Sequence, residues 1–301
     1  RCEKYSRWTV PKIFPEVNRN QDTESLAQDF QSLAAQAVNS LSNKLMMALF
    51  KPSSAFFRLE FSAKVKKEMA ENQIPAEALV QMQAALAAAE VDAALELDKR
   101  SIRSKLYDML KMLIVLGNAL LIFEKDTIRI LNLRHYVVLR DKTGKPCEMV
   151  IREKTHKDNL TAQVRALVKD NTNFKPDPDG YCYEYIRIKK QDDGRFNCDK
   201  WVDDVPLPAE FSSIYTAENM PYHPVTWDLA SGDDYGTGLV EDFEGDFSAL
   251  SMLSQATVHA AILASEFRWL VNPTGQTSAD DFAQSANGAA LPGQKGDIEL
   301  V

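Results

Sequence analysis

Three long stretches in the first 117 residues repeat apolar residues every three or four positions, which is the spacing of one face of an α-helix. The first is predicted to begin at Asp22 or Thr23, which are good N-cap residues, and to run to Phe50. Its apolar face would comprise Leu26, Phe30, Leu33, Ala37, Leu41, Leu45 and Leu49. A second helical region begins near Pro75, and the third, which follows it directly, ends at Gly117.

The pattern then changes to the shorter runs that are typical of strands. ALLIFEKDTIRILNL predicts a hairpin about Lys125-Asp126, and YVVLRDKTGKPCEMVIRE predicts another that turns at Thr143-Gly144. We expect these two hairpins to form one small antiparallel sheet. A short helix is predicted at 159–168, followed by a third hairpin that pairs YCYEYIRIKK with RFNCDKWVDD.

Two aromatic-rich segments near the N-terminus fit neither pattern clearly. RCEKYSRWTVPKIFPE contains Pro11 and Pro15, which predict an extended segment rather than a helix. The segment 56–61 is dense in phenylalanine and indicates aromatic packing, with a short strand as one interpretation.

A further long helix is predicted from Leu239 to Ala264, a stretch with no proline and only Gly245 as a glycine. A helix of ~26 residues is roughly 39 Å long. The small residues Ala256, Ala260, Ala261 and Ala264 in its second half would allow another helix to approach closely on more than one side. This favours a bundle or a ring of copies, and an ordinary buried helix is the alternative. A strand, a mobile loop and a second strand are expected after it.

Composition and charge exclude several classes of protein. With 301 residues, of which 45% are hydrophobic and 26% charged, the composition is that of a soluble globular protein. The longest apolar run, 112–123, is shorter than the ~20 residues that a membrane-spanning helix needs, so we expect no membrane partner. A net charge of −8 and a pI of about 5.2 argue against a surface that binds nucleic acid tightly. Because the first residue is Arg1, we expect the sequence to be part of a longer protein.

No motif predicts catalysis, a cofactor or a metal. The four histidines are not in metal-ligand spacing, and the four cysteines form no CxxC pair. The adjacent acid pairs are interpreted as turn residues and helix caps: Asp192-Asp193, Asp203-Asp204, Asp233-Asp234 and Glu241-Asp242. The acids at the start of the long helix would form negative rings if copies of it surrounded a pore. Such rings would repel DNA and keep it from adhering.

Several segments, in order along nearly the whole chain, resemble the portal, or head-tail connector, proteins of short-tailed double-stranded DNA bacteriophages. They are YSRWTVPKIFP, SLSNKLMMALF, LYDMLKMLIVLGNALLIF, YVVLRDKTGKPCEMVIRE, DDYGTGLVEDFEGDFSALSMLSQA and RWLVNPTG. The fold that this resemblance implies is α+β. It would have a wing of helices and hairpins over 1–234, a long stem helix over 235–266, and a small β-containing clip over 267–301.

The resemblance also implies a function. About twelve subunits would form a ring at one capsid vertex of the virion, at the head-tail junction, after assembly in the host cytoplasm. Double-stranded DNA would pass through without sequence specificity. The protein partners would be terminase, the major capsid and scaffolding proteins, and a tail adaptor. The residues expected to face the DNA are Glu241, Glu244, Glu266, Arg268 and Lys295, and the four stem alanines would pack the subunits together.

The family continues beyond the segments matched here, with a returning stem helix, a tunnel loop and a crown. Two other functions stay open from the sequence. One is a non-enzymatic virion scaffold or adhesion module that uses its β-hairpins for binding. The other is a metal-dependent hydrolase, which would require at least two acid pairs to meet at one cation.

Overall fold

A computed structural model describes residues 1–15, 24–26, 29–51, 55–72, 75–169, 171–265, 269–272, 274–275, 278–284, 292–295 and 297–300. The chain divides into two compact units, Arg1–Phe247 and Ser248–Val301. Helices and antiparallel sheets are both present, which confirms the predicted α+β class.

The first unit contains seven named helices within the described residues: α1 (Cys2–Trp8), α2 (Leu33–Leu49), α3 (Ala63–Glu71), α4 (Ala76–Lys99), α5 (Ile102–Leu116), α6 (Ala162–Val168) and α7 (Leu239–Asp242). Short 3-10 turns lie at Pro11–Ile13, Lys157–Asn159 and Ala209–Phe211. The predictions for α4 and α5 are confirmed. Gly117 ends α5 in the left-handed conformation, with φ 73°, as expected of a glycine at a helix C-terminus.

The prediction of an extended N-terminus is wrong, because α1 is a helix that buries Tyr5 and Trp8. Both prolines lie beyond its end. Pro11 starts the following 3-10 turn, where its missing N–H does no harm. Proline therefore limits where this helix ends and does not prevent it from forming.

Helix α2 begins later than predicted. The expected N-cap residues, Asp22 and Thr23, lie outside the described residues, and the helix starts at Leu33. Gln31 holds its start, because Oε1 accepts a bond from the Ala34 N–H (3.0 Å) and Nε2 donates to the Trp8 carbonyl (2.8 Å). The buried face also differs from the predicted leucine stripe, since its fully buried residues are Ala34, Val38 and Ser42.

The segment around Phe56 to Phe61 forms no strand in the described part of that region. It leads instead into α3, which the sequence analysis did not predict. Ser62 caps this helix by accepting a bond from the Val65 N–H at 3.3 Å. Helix α3 fully buries none of its side chains, and its half-buried residues, Val65 and Met69, lie one turn apart on the same face.

The strands of the first unit form two sheets. A three-stranded sheet has the order β2-β1-β9, with β1 Asn118–Phe123, β2 Ile128–Leu131 and β9 Tyr222–Thr226. A six-stranded sheet has the order β3-β4-β5-β6-β7, with β8 also paired to β6. Its strands are β3 Tyr136–Arg140, β4 Pro146–His156, β5 Tyr181–Lys190, β6 Phe196–Val202, β7 Val205–Pro206 and β8 Ser213–Tyr215.

All three predicted hairpins are present, but the prediction that the first two share one sheet is wrong. The β1–β2 hairpin takes β9 as its third strand, and the β3–β4 hairpin joins β5 instead. The two sheets pack on a common core in which Leu120 and Ile122 from β1 meet Met149, Ile151 and Ile188 from the larger sheet. An alternating pattern of apolar and polar residues identifies a strand. It does not identify which distant strand, such as β9 for β1, will pair with it.

Helix α8 (Glu244–Ser265) follows α7, so the predicted single helix from Leu239 is interrupted at Phe243. In the second unit, β10 (Trp269–Val271) and β11 (Ile298–Leu300) pair antiparallel, which confirms the two predicted strands. A short helix, α9 (Ala279–Gln284), lies between them, where we expected only a loop.

Candidate functional site

The segment that leads into α7 is held by close backbone contacts. Asn118 is buried and its amide donates to the Gly236 carbonyl (2.6 Å) and to the Leu116 carbonyl (3.0 Å), while its Oδ1 accepts from the Gly236 N–H (2.9 Å). A Cβ at Gly117 would lie 2.3 Å from the Thr237 carbonyl carbon, and one at Gly238 would lie 2.7 Å from the Gly117 nitrogen. Only glycine permits this approach.

Asp234 and Tyr235 attach the same segment to the larger sheet. The Asp234 carboxylate accepts from the Arg140 N–H (2.6 Å), and its carbonyl accepts from the Arg140 Nε (2.9 Å). Tyr235 Oη accepts from the Val138 N–H at 3.2 Å. Residues 234–238 are therefore fixed to both sheets and to the end of α5, and they set where α7 begins.

Helix α1 packs on the start of α7 and α8 through three polar side-chain contacts, which we call the clasp. Arg1 Nη1 lies 2.7 Å from Glu241 Oε1, and Lys4 Nζ lies 2.6 Å from Glu244 Oε1. Tyr5 Oη donates to the other Glu244 oxygen at 2.7 Å. The hydrogen bonds from Lys4 and Tyr5 hold the pKa of Glu244 below its usual range. Burial, together with the bond to Glu244, raises the pKa of Tyr5.

The clasp involves two of the acids that were predicted to face DNA. Glu241 and Glu244 are both paired with bases of α1, so their charges are partly neutralised within the chain. Asp242 and Asp246 in the same two turns are exposed, and the ion pairs of the described residues include neither of them. If acids at this place face DNA, these two aspartates supply the unpaired charge.

The other three predicted DNA-facing residues belong to the second unit, Ser248–Val301. Lys295 is exposed in a turn before β11. Glu266 and Arg268 lie outside the described residues.

Most side chains of helix α8 are exposed, although Phe247 in its first turn is half-buried beside Trp8. None of its 22 residues is buried, and Met252, Leu253 and Leu263 are each about two-thirds exposed. All four predicted packing alanines, Ala256, Ala260, Ala261 and Ala264, are also exposed. Two helices, Glu77–Lys99 and Glu244–Ser265, are long and apolar enough to cross a membrane by length and composition alone.

Several residues that could serve an enzyme have structural contacts. Within the described ranges, no group of three acidic, histidine or cysteine side chains could hold a metal ion. One acid of each predicted pair contacts a neighbour in the chain: Asp193 binds Arg195, Asp203 accepts from the Tyr183 N–H, Asp234 accepts from Arg140, and Glu241 binds Arg1. Burial raises the pKa of the Cys182 and Cys198 thiols to about 11, which makes them poor nucleophiles at neutral pH.

Sequence reasoning missed the residues that hold the base of the long helix. Asn118 looks like an ordinary strand residue, and the sequence analysis assigned no role to Gly236 or Gly238. A signal was present, because a Gly-Thr-Gly run directly before a helix indicates close backbone approach. Arg1 and Lys4 carry no such signal, since their partners lie 240 residues away.

Comparisons with known proteins match nearly the whole chain. The family described as "Bacteriophage head to tail connecting protein" matches residues 1–300. The portal protein of Enterobacteria phage SP6 is 29% identical over 303 residues, which cover 100% of this chain and 57% of that protein. The portal protein of Escherichia phage T7 is 27% identical over 308 residues, which cover 100% and 56%.

A third relative, the portal protein of Pseudomonas phage phiKMV, is 30% identical over 298 residues, which cover 97% of this chain and 57% of that protein. The chain thus spans about half the length of the curated relatives that it matches. Since the family match covers far more than half of the residues, the chain belongs to the bacteriophage head to tail connecting proteins.

Proposed function

We propose that this chain forms part of a ring subunit through which double-stranded DNA enters and leaves a phage capsid at the head-tail junction. The family membership and the portal proteins among its relatives support this role. The relatives do not favour the alternative of a non-enzymatic virion scaffold or adhesion module. The role is structural: positioning DNA and protein partners requires no catalytic group or cofactor.

The observation that carries the proposal is the exposure of α8. At 1.5 Å per residue its 22 residues form a rod about 33 Å long. Met252, Leu253, Ile262 and Leu263 present much of their apolar surface to solvent. A contiguous exposed apolar surface usually marks an interaction site. Copies of the same helix around a ring of about twelve subunits would cover it.

A membrane is the other environment that could cover an apolar helix. Helix α8 contains serine, threonine, glutamine and histidine side chains along its length, and Glu244 and Asp246 lie in its first turn. Thr257 and Ser265 bond to carbonyls of the helix itself. Lipid cannot satisfy the Gln255 amide near the middle of the helix or the two carboxylates, whereas neighbouring protein and a water-filled channel can. We therefore assign the covering surface to copies of the chain.

We assign the wing to 1–234, the stem to 235–266 and the clip to 267–301. Asn118 and the backbone of 234–238 would then mount the stem on the wing. The clip is the part that we expect to contact terminase during packaging and the tail adaptor afterwards, while the wing would meet the capsid and scaffolding proteins. Assembly would take place in the host cytoplasm, at one capsid vertex.

Charge supports passage of DNA without adhesion. The chain carries a net charge of −8, and Asp242 and Asp246 lie unpaired at the start of the stem. Duplex DNA presents one negative charge per about 1.7 Å of axis, so acids on a channel wall repel it evenly and independently of sequence. Glu241 and Glu244 add to this charge only as far as Arg1 and Lys4 leave it uncompensated.

Charge reversal in the full-length protein tests the channel assignment. We expect Asp242→Lys with Asp246→Lys to lower the yield of packaged DNA, because twelve or so copies would add a band of positive charge that binds phosphates. A matched control is the exchange Lys4→Glu with Glu244→Lys, which keeps the ion pair and the net charge. A packaging yield that is unchanged by the double aspartate reversal would contradict the assignment.

A further inference from the structure

The outer face of the six-stranded sheet carries a cluster of tyrosine, tryptophan and basic side chains. Tyr181, Tyr183 and Tyr185 alternate along β5 with the residues that face the core. Across the sheet, Tyr183 pairs with Lys154, and Tyr185 pairs with Arg152 on β4 and Trp201 on β6. We call this set of six residues the tyrosine face.

The side chains of the tyrosine face hold one another in place. The Arg152 guanidinium lies 5.2 Å from the centre of the Tyr183 ring, and Lys154 Nζ lies 4.5 Å from that of Tyr181. The rings of Tyr183 and Tyr185 are 6.4 Å apart. Tyr181 and Tyr183 remain about 40% exposed. Tyrosine, tryptophan and arginine are the residues that dominate protein–protein hot spots, and side chains ordered beforehand lose less entropy on binding.

The charges on this face fit a protein better than a nucleic acid. Lys154 is paired with Asp177 at 3.0 Å, and Arg187, which follows on β5, is paired with Glu148 at 2.6 Å. Of the two basic residues of the tyrosine face, Arg152 is the one that takes part in none of the ion pairs of the described residues. Phosphate binding requires several uncompensated cations. One arginine among aromatic rings instead suits an apolar surface that carries a few acids.

Helix α4 offers such a surface. An outward stripe follows the spacing of one helical face, and its members are all exposed: Val80, Ala84, Ala88, Val91 and Leu95. The helix contains five acidic residues and one lysine, which makes its net charge −4. Among these acids, Glu77 and Asp92 are exposed, and the described ion pairs involve neither. The stripe therefore combines apolar residues with uncompensated negative charge.

We propose that the tyrosine face of one copy binds the outward stripe of α4 in the next copy. This inference rests on the proposed ring. Every subunit of a closed ring needs two different surfaces that complement each other. Aromatic rings would cover the apolar stripe, and Arg152 would lie among the acids of α4. Complementary charge would also fix which copy binds which surface.

A photo-crosslinker tests the contact in the full-length protein. We would replace Tyr183 with p-benzoylphenylalanine, assemble particles from a mixture of light and heavy isotope-labelled subunits, and identify the crosslinked peptides by mass spectrometry. The expected products join Tyr183 of one copy to residues 76–99 of the other isotope. The same group at Trp227, which is similarly exposed, is the control and should not reach α4. Crosslinks from Tyr183 to another surface or to DNA, or none within intact rings, would overturn the proposal.

Charge reversal at Arg152 tests the proposed contact separately from the proposed ring. Arg152→Glu should lower the fraction of ring particles about tenfold, because like charges would meet at the contact. Asp92→Arg in the same chain should restore the rings. If rings form equally well with Arg152→Glu, the proposed contact is wrong, whereas the proposed ring is not contradicted. Unmodified full-length protein that forms no rings would instead overturn the proposed function, and the contact with it.

Discussion

Two apolar helices of this chain, α5 and α8, differ in how many of their side chains the structure buries. Helix α5 has 15 residues and buries eight of them, whereas α8 has 22 residues and buries none. The apolar residues of α5 meet α1, α2 and the strands that follow, as shown by the near-complete burial of Ile114 and Val115. Those of α8 are spread around the helix, and none of its described side chains is buried. The comparison shows that α5 belongs to the core of the first unit, and it supports our proposal that copies of the chain complete α8.

The largest effect should come from the close backbone contact at the end of α5. We expect Gly117→Ala to destabilise the chain by roughly 4 kcal/mol or more, since it combines a left-handed residue with a Cβ 2.3 Å from the Thr237 backbone. Urea unfolding followed by circular dichroism measures it. Gly232→Ala is the control: its φ is also positive, but nothing lies within 4 Å, so roughly 1–2 kcal/mol is expected. Equal costs at the two positions would disprove the packing argument.

A pair of identical substitutions compares the two helices directly. Leu116→Ala removes a side chain from the core around α5 and should cost about 3 kcal/mol in unfolding free energy. Leu253→Ala on α8 should change the stability of the isolated chain by less than about 0.5 kcal/mol, because that side chain is already in solvent. In the full-length protein, Leu253→Ala should weaken ring assembly. A large loss of chain stability from Leu253→Ala would mean that α8 is covered within the subunit.

The clasp between α1 and α8 should have a smaller effect. Tyr5→Phe keeps the buried ring and removes the hydrogen bond to Glu244, so we expect a loss of about 1 kcal/mol in unfolding free energy. Lys4→Met should lower the stability less, since both partners of its ion pair are about half exposed. Lys4→Met costing more than Tyr5→Phe would show that charge, rather than the buried hydrogen bond, holds the clasp.

The smallest effect concerns pH. The pKa of Glu244 is lowered in the folded chain, so its stabilising contribution is present above the unfolded pKa of about 4.3 and is lost as pH falls through the lower folded value. The pKa of Tyr5 is raised, so its contribution is present below about pH 10 and is lost as pH rises through the folded value. Unfolding curves of the parent chain and Glu244→Gln should converge at low pH. A constant separation between them down to pH 2 would argue against this titration.

Local pattern predicted much of the fold and little of the site. Helices α4 and α5 and the three hairpins follow from periodicity and turn residues, because those signals lie within ten or twenty positions. The partnering of β1 with β9 and the contact of Arg1 with Glu241 join distant parts of the chain and leave no such pattern. The position of Glu241 and Glu244 on an acidic helix start was visible in the sequence. Their pairing with α1 depends on tertiary packing, and the boundaries of wing, stem and clip stay predictions.

The most direct test of the account is the mass and shape of the particle that the full-length protein forms, measured by native mass spectrometry and by class averages of negatively stained particles. We predict closed rings of about twelve copies with a central hole, in which copies of α8 cover one another. A monomer or dimer that persists at high protein concentration would contradict the claim that α8 is completed by neighbouring subunits.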